Sequence, residues 1–245
     1  MNPNPAPPAP HRDHHVVVIS LDGIPAYLWR QPDLAVPNIR RLLAEGSTAD
    51  AMTETSPANT WSSHTSMITG RSPRAHGVLY LGELSLPGPN LPPVVHQWAD
   101  KEKYVRVPTL YDVVYDAGLT TAESDWVAIT NAPKITWAFP EIPSVEGKVE
   151  QEMMEAGVIT AEQIGWMQHR PGRKALVWHD EMWTKAACFM FKEHRPNLLL
   201  YHMLSIDWNH HYYGVGTEAS HAAIAYADRL VGDIVQTVEE SGQRD

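Results

Sequence analysis

Two short apolar runs, each closed by an aspartate, restrict the folds open to this chain more than any other feature. Residues 15–21 read HVVVISL and stop at Asp22-Gly23; residues 197–206 read NLLLYHMLSI and stop at Asp207. Runs that are continuously apolar, rather than alternating, suit strands covered on both faces, as in a parallel sheet. In open sheets of that kind ligands collect beyond the carboxyl ends of the strands, so Asp22 and Asp207 are expected to share one crevice.

Helical signals lie between and after these runs. Residues 37–46 (PNIRRLLAEG) and 108–118 (PTLYDVVYDAG) each begin with proline and stop at glycine, and residues 120–129 read as a further strand. Residues 218–242 carry Ile224, Ala227, Leu230, Val231, Ile234, Val235 and Val238 on one helical face, with Gly242 as the stop. Strand and helix in alternation predict an α/β fold, a parallel doubly wound sheet with helices on both faces. Residues 1–14, rich in Pro and Ala, read as a disordered tail, and 15–245 as one domain. Residues 81–107 and 131–195 mix Pro, Gly, Trp and charge without period, and are expected to be irregular insertions over the sheet edge or a pocket.

The chain has 245 residues, enough to bury a core without disulfide staples, and its single cysteine, Cys188, forms no internal pair. With 19 Lys+Arg against 29 Asp+Glu its net charge is −10, which argues against a nucleic-acid scaffold or an anionic membrane as partner. A small phosphate ester held beside cations is not excluded. The start lacks a basic segment followed by an apolar one, and no run approaches the ~18 apolar residues of a membrane span, so a cytoplasmic, soluble chain is expected.

Residues 59–64 (NTWSSH) open a helix near Thr60. A hydroxyl there meets free N–H groups and the positive dipole end, a place suited to a phosphoryl group; equally, Thr60 could be only an N-cap. Asp22 before Gly23 could be a turn residue, Asp207 a cap for the next turn, and His211 a packed ring beside Tyr212 and Tyr213.

The order of four segments resolves these alternatives. VVVISLDG at 16–23, VPNIRRLLAEG at 36–46, NTWSSHTSMITGRSPRAHGV at 59–78 and DWNHH at 207–211 together resemble the type I phosphodiesterase/nucleotide pyrophosphatase family of the alkaline phosphatase superfamily. The resemblance implies an alkaline-phosphatase-like catalytic domain that hydrolyses phosphodiester or pyrophosphate bonds of a small nucleotide-like substrate. It makes Thr60 the nucleophile, passing through a phosphothreonine. Two divalent metal ions, zinc by the ligand types, would be held by Asp22 and Thr60 and by Asp207 and His211. His64 and His76 are read as structural, and His179-Asp180 is left unassigned.

The sequence departs from the family pattern in several places. Ser62-Ser63 replace Pro-Asn, Leu81 stands at about the position where relatives carry a phosphate-holding asparagine, and His210 replaces a glycine and competes with His211 as ligand. The family's further Asp-His pair would follow the long helix, and no such pair occurs before Asp245. The chain is therefore expected to be a truncated fragment with about half of the metal ligands and an unpaired apolar edge on the 197–206 strand. The alternative function is a catalytically impaired protein of the same fold that binds a ligand or partner.

Overall fold

The computed structural model describes residues 12–168 and 176–242. The expected tail lies outside the described residues up to position 11, His11 included. Positions 12–14 are not a free tail, because Asn197 Nδ2 donates to the carbonyls of Arg12 and His14 at 2.9 Å each.

In chain order the elements are β1 (Val16–Leu21), α1 (Ala26–Trp29), α2 (Pro37–Glu45), α3 (Thr60–Thr69), α4 (Pro73–His76), β2 (Glu83–Ser85) and β3 (Val94–His96). They continue as α5 (Leu110–Asp116), β4 (Thr121–Ser124), β5 (Trp137–Phe139), α6 (Lys148–Glu155), α7 (Ala161–Gln168), α8 (Leu176–His194), β6 (Leu198–Met203), α9 (Ser205–Tyr213) and α10 (Glu218–Glu240). β1, β6, β4 and β5 form one parallel sheet in that order, and β2 and β3 form a separate antiparallel hairpin.

All six residues of β6 are buried, and they alternate between two layers. Leu199, Tyr201 and Met203 join the main core with Met182, Trp183, Ala186 and Phe191 of α8 and Ile224 and Leu230 of α10. Leu198 and Leu200 face the other way, onto Ile68 of α3 and Tyr111 of α5. The sheet is thus covered on both faces, which is why its central strand is apolar throughout.

Three expectations are corrected. β6 is flanked by β1 and β4, so the edge strands are β1 and β5 and not the 197–206 strand. β6 also stops at Met203, and Asp207 lies in the first turn of α9 instead of at a strand end. Finally, 131–195 is not irregular. It carries β5 and three helices, and in α8 the buried residues Met182, Trp183, Ala186, Ala187, Met190 and Phe191 form a helical stripe. Residues 81–107 contain the β2–β3 hairpin, with Leu84, Leu86, Val94 and Val95 exposed.

Candidate functional site

Thr60 is the first residue of α3 but not its cap. Asn59 is the cap, its side chain accepting from Ser62 N–H at 3.1 Å, so the Thr60 hydroxyl is released from that duty. It donates instead to Asp22 Oδ2 at 3.0 Å, joining the start of α3 to the end of β1 across the carboxyl edge of the sheet. Burial pushes the Asp22 carboxyl up, but His202, His64 and the Thr60 hydroxyl outweigh it and hold the group below its ordinary value.

Gly23 turns the chain at φ +75° and brings Asp22 beside Asp207, whose Cα would be 2.8 Å from a Cβ at position 23. Burial and the nearby Asp22 charge both raise the Asp207 carboxyl. His211, one turn further along α9, places Nε2 3.4 Å from Asp207 Oδ2, with its side chain 73% exposed. His210 is engaged at both ring nitrogens: Nδ1 donates to the Gly23 carbonyl at 3.1 Å and Nε2 pairs with Ser220 Oγ at 2.6 Å. Of the two neighbours, His211 is the one with a ring nitrogen turned to the carboxylates.

Two carboxylates, a hydroxyl and an imidazole thus meet in one crevice, and among the described residues neither carboxylate is paired with Lys or Arg. A hard, oxygen-rich donor set whose only charged neighbours among the described residues are histidines fits divalent cations, and adding imidazole nitrogen suits zinc. Among the described residues, however, no three His, Cys, Asp or Glu side chains are placed to hold one ion together.

The sequence profile of the type I phosphodiesterase/nucleotide pyrophosphatase family matches residues 16–245. The chain belongs to that family. Murine ectonucleotide pyrophosphatase/phosphodiesterase 5 shares its fold, with a TM-score of 0.67 at 15% identity over 94% of this chain and 54% of that one. The same mouse protein has been solved as an inactive variant in complex with AMP, at a TM-score of 0.66 and 15% identity with the same coverage. Phosphonoacetate hydrolase from Sinorhizobium meliloti, solved with phosphonoacetate, has a TM-score of 0.63 at 18% identity over 94% of this chain and 55% of its own. The chain therefore spans about half the length of these neighbours. No curated protein sequence matches it.

The departures from the pattern of type I phosphodiesterases have local explanations. Ser62 Oγ donates to the Val78 carbonyl at 3.0 Å and Ser63 Oγ to the Asn59 carbonyl at 2.8 Å, so the α3 start is stitched without the Pro-Asn pair. Leu81 packs into an apolar cluster with Trp61, Val78 and Tyr104. His64 Nδ1 donates to the Thr60 carbonyl at 2.7 Å, and burial lowers its pKa to about 3, leaving the ring neutral. His76 accepts from Val78 N–H at Nδ1 and donates to Ser66 Oγ from Nε2. Both histidines hold the loops around α3.

Three residues near the site escape sequence reasoning. His202 and Asp125 stand behind Asp22, and Asp180 on α8 accepts from the Leu204 and Ser205 N–H groups at 3.0 and 3.1 Å. Leu204 has no capping side chain of its own, so Asp180 caps α9 from another helix and fixes where Asp207 and His211 stand. At the carboxyl ends of β4 and β5 lies a cavity of about 460 Å³ lined by Trp61, Trp98, Glu123, Trp126, Pro140 and Ile142; Trp61 follows Thr60 in α3, and none of Asp22, Thr60, Asp207 and His211 lines it.

Proposed function

We propose that the chain carries the nucleophile half of a metal-dependent hydrolase of phosphodiester or pyrophosphate bonds. The observation that carries this reading is the free Thr60 hydroxyl: Asn59 caps the helix, and Asp22 Oδ2 orients the oxygen at the helix N-terminus. Asp22 and Thr60 would hold one divalent cation and Asp207 and His211 another. Once bound, such ions favour loss of the hydroxyl proton and offset charge on the phosphoryl oxygens.

Thr60 Oγ, its proton passing to solvent, forms a bond to phosphorus as the bond to the leaving oxygen breaks; that oxygen takes the electron pair and then a proton from water. Water next attacks the phosphothreonine, the P–Oγ bond breaks, and the Thr60 hydroxyl is restored. The tryptophan-lined cavity, reached from α3 through Trp61, suits a flat aromatic substituent of the ester. AMP in the complex of the mouse phosphodiesterase is a ligand of that chemistry.

A second reading is a protein of the same fold that binds such esters without turning them over. The absence, among the described residues, of any three-donor group placed for one metal favours it. Hydrolysis of bis-p-nitrophenyl phosphate, abolished by exhaustive chelation and restored by zinc, supports the hydrolase. AMP binding with no turnover under any divalent metal selects the second reading instead.

A further inference from the structure

We propose that His202 is the positioning residue for Asp22, a ring wedged into the sheet to hold that carboxylate against Thr60. Its consequence for metal binding rests on the two-metal reading above; its geometry does not. His202 is an imidazole next to the carboxyl end of an otherwise largely apolar central strand, with only 1% of its side chain exposed. A buried polar ring in such a place is costly unless its nitrogens are matched. The β6 register sets it opposite Ser20, two residues before Asp22, and strand alternation turns it to the face that carries α3.

The two ring nitrogens face different partners. Nδ1 lies 3.0 Å from the Asp125 carbonyl, which can only accept, so Nδ1 carries hydrogen and the ring plane is fixed. Asp125 sits at φ +56°, in the left-handed region that aspartate tolerates better than most side chains, and its carboxyl is 3.4 Å from the same nitrogen. Nε2 is buried without a hydrogen bond, and the charged atom it faces is Asp22 Oδ2, at an ion-pair distance of 3.4 Å. On the other side the His64 ring stands 4.5 Å away edge to face, itself tied to the Thr60 carbonyl. The His202 and Thr60 contacts both fall on Oδ2 of Asp22, and Oδ1 is the oxygen left for a cation. Groups of this kind behind a metal ligand set its orientation, and their loss commonly weakens metal affinity about 10–100-fold.

Substitution separates positioning from packing. His202→Gln puts an amide nitrogen near the place of Nε2, His202→Asn one near Nδ1, and His202→Phe keeps the ring shape with neither. Zinc affinity, read by competition with a chromophoric chelator, is expected to fall about 10–100-fold in the Asn and Phe variants and to be largely kept in Gln. In the metal-free chain, the shifts in urea midpoint caused by Asp22→Asn and His202→Phe are expected not to add in the double variant. Parental zinc affinity in His202→Phe overturns the proposal, and so do additive midpoint shifts. A parent chain that takes up no zinc sinks the two-metal reading instead, and the midpoint cycle alone then decides the role of His202.

Discussion

Gly23 lies against the backbone of Asp207, so closely that a Cβ at position 23 would come within 2.8 Å of the Asp207 Cα. This contact joins the carboxyl end of β1 to the first turn of α9 and makes one crevice of two sequence-distant aspartates. Gly23→Ala should suffer twice, from a left-handed φ of +75° and from backbone crowding that no side-chain rotation relieves. Gly70 is the control, with φ +63° and nothing within 4 Å of its Cβ position. Gly70→Ala is expected to cost about 1 kcal/mol in chemical unfolding and Gly23→Ala roughly 2 kcal/mol or more, with diesterase activity lost in the second alone. Equal costs at the two positions would show that the close approach is unimportant.

Two helices without a capping side chain of their own borrow an aspartate from elsewhere. Asp180 binds the amides that begin α9, and Asp228 on α10 accepts from Asn38 N–H and Ile39 N–H at 3.1 and 2.8 Å at the start of α2. Asparagine at either position keeps one acceptor and turns an NH₂ toward the other amide. Each variant should lose about 1–3 kcal/mol of stability. Only Asp180→Asn should also weaken zinc binding and turnover, because α9 carries Asp207 and His211 and α2 carries no site residue. If Asp228→Asn impaired activity equally at a temperature where both variants are folded, the loss would be one of general stability.

Capping from a distance also explains why part of the site was hidden in the sequence. Asp22, Thr60, Asp207 and His211 stand in short segments whose order is informative, and β1, β6, α2 and α10 follow from apolar runs and proline or glycine punctuation. The His179-Asp180 pair gives no such signal, since Asp180 is 25 residues from the Ser205 amide it binds. Likewise His202 sits in a run that reads as plain core, and Asp125 in a loop whose left-handed turn has no glycine to announce it. Strand length misled for a physical reason: Ser205 and Ile206 are as buried as strand residues, but they are covered as the start of α9.

Thr60→Ala should leave the fold and the Asn59 cap intact, because the hydroxyl makes its hydrogen bond to Asp22 and not to the helix. Diesterase turnover is expected to fall roughly a thousandfold or more, with the ion at Asp207 and His211 kept and the one shared by Asp22 and Thr60 held less tightly, since the covalent route loses its nucleophile. Thr60→Ser should retain appreciable rate, and rapid quenching during turnover should trap phosphate on residue 60 of the parent. A Thr60→Ala protein as fast as the parent would leave Thr60 as a neighbour of the site and no more.

Glu123 gives the chain a pH dependence that can be read separately from catalysis. Its side chain is buried at the tryptophan-lined cavity, where burial raises its pKa from about 4.5 to about 8, the Trp126 N–H opposing the shift and the Glu150 charge adding to it. The folded chain therefore holds this proton more tightly than the unfolded one. The associated stability is complete below pH 4.5, declines as pH rises, and is gone above about pH 8. Glu123→Gln keeps an acceptor for Trp126 N–H and has no charge to bury. Near pH 4 the two proteins should unfold at similar denaturant concentrations; near pH 9 the variant should be more stable by on the order of a few kcal/mol. Unfolding curves at the two pH values measure this difference directly. A gap between parent and variant that does not change with pH would mean that the Glu123 carboxyl is solvated and ordinary, and that the cavity it lines is wetter than its tryptophans suggest.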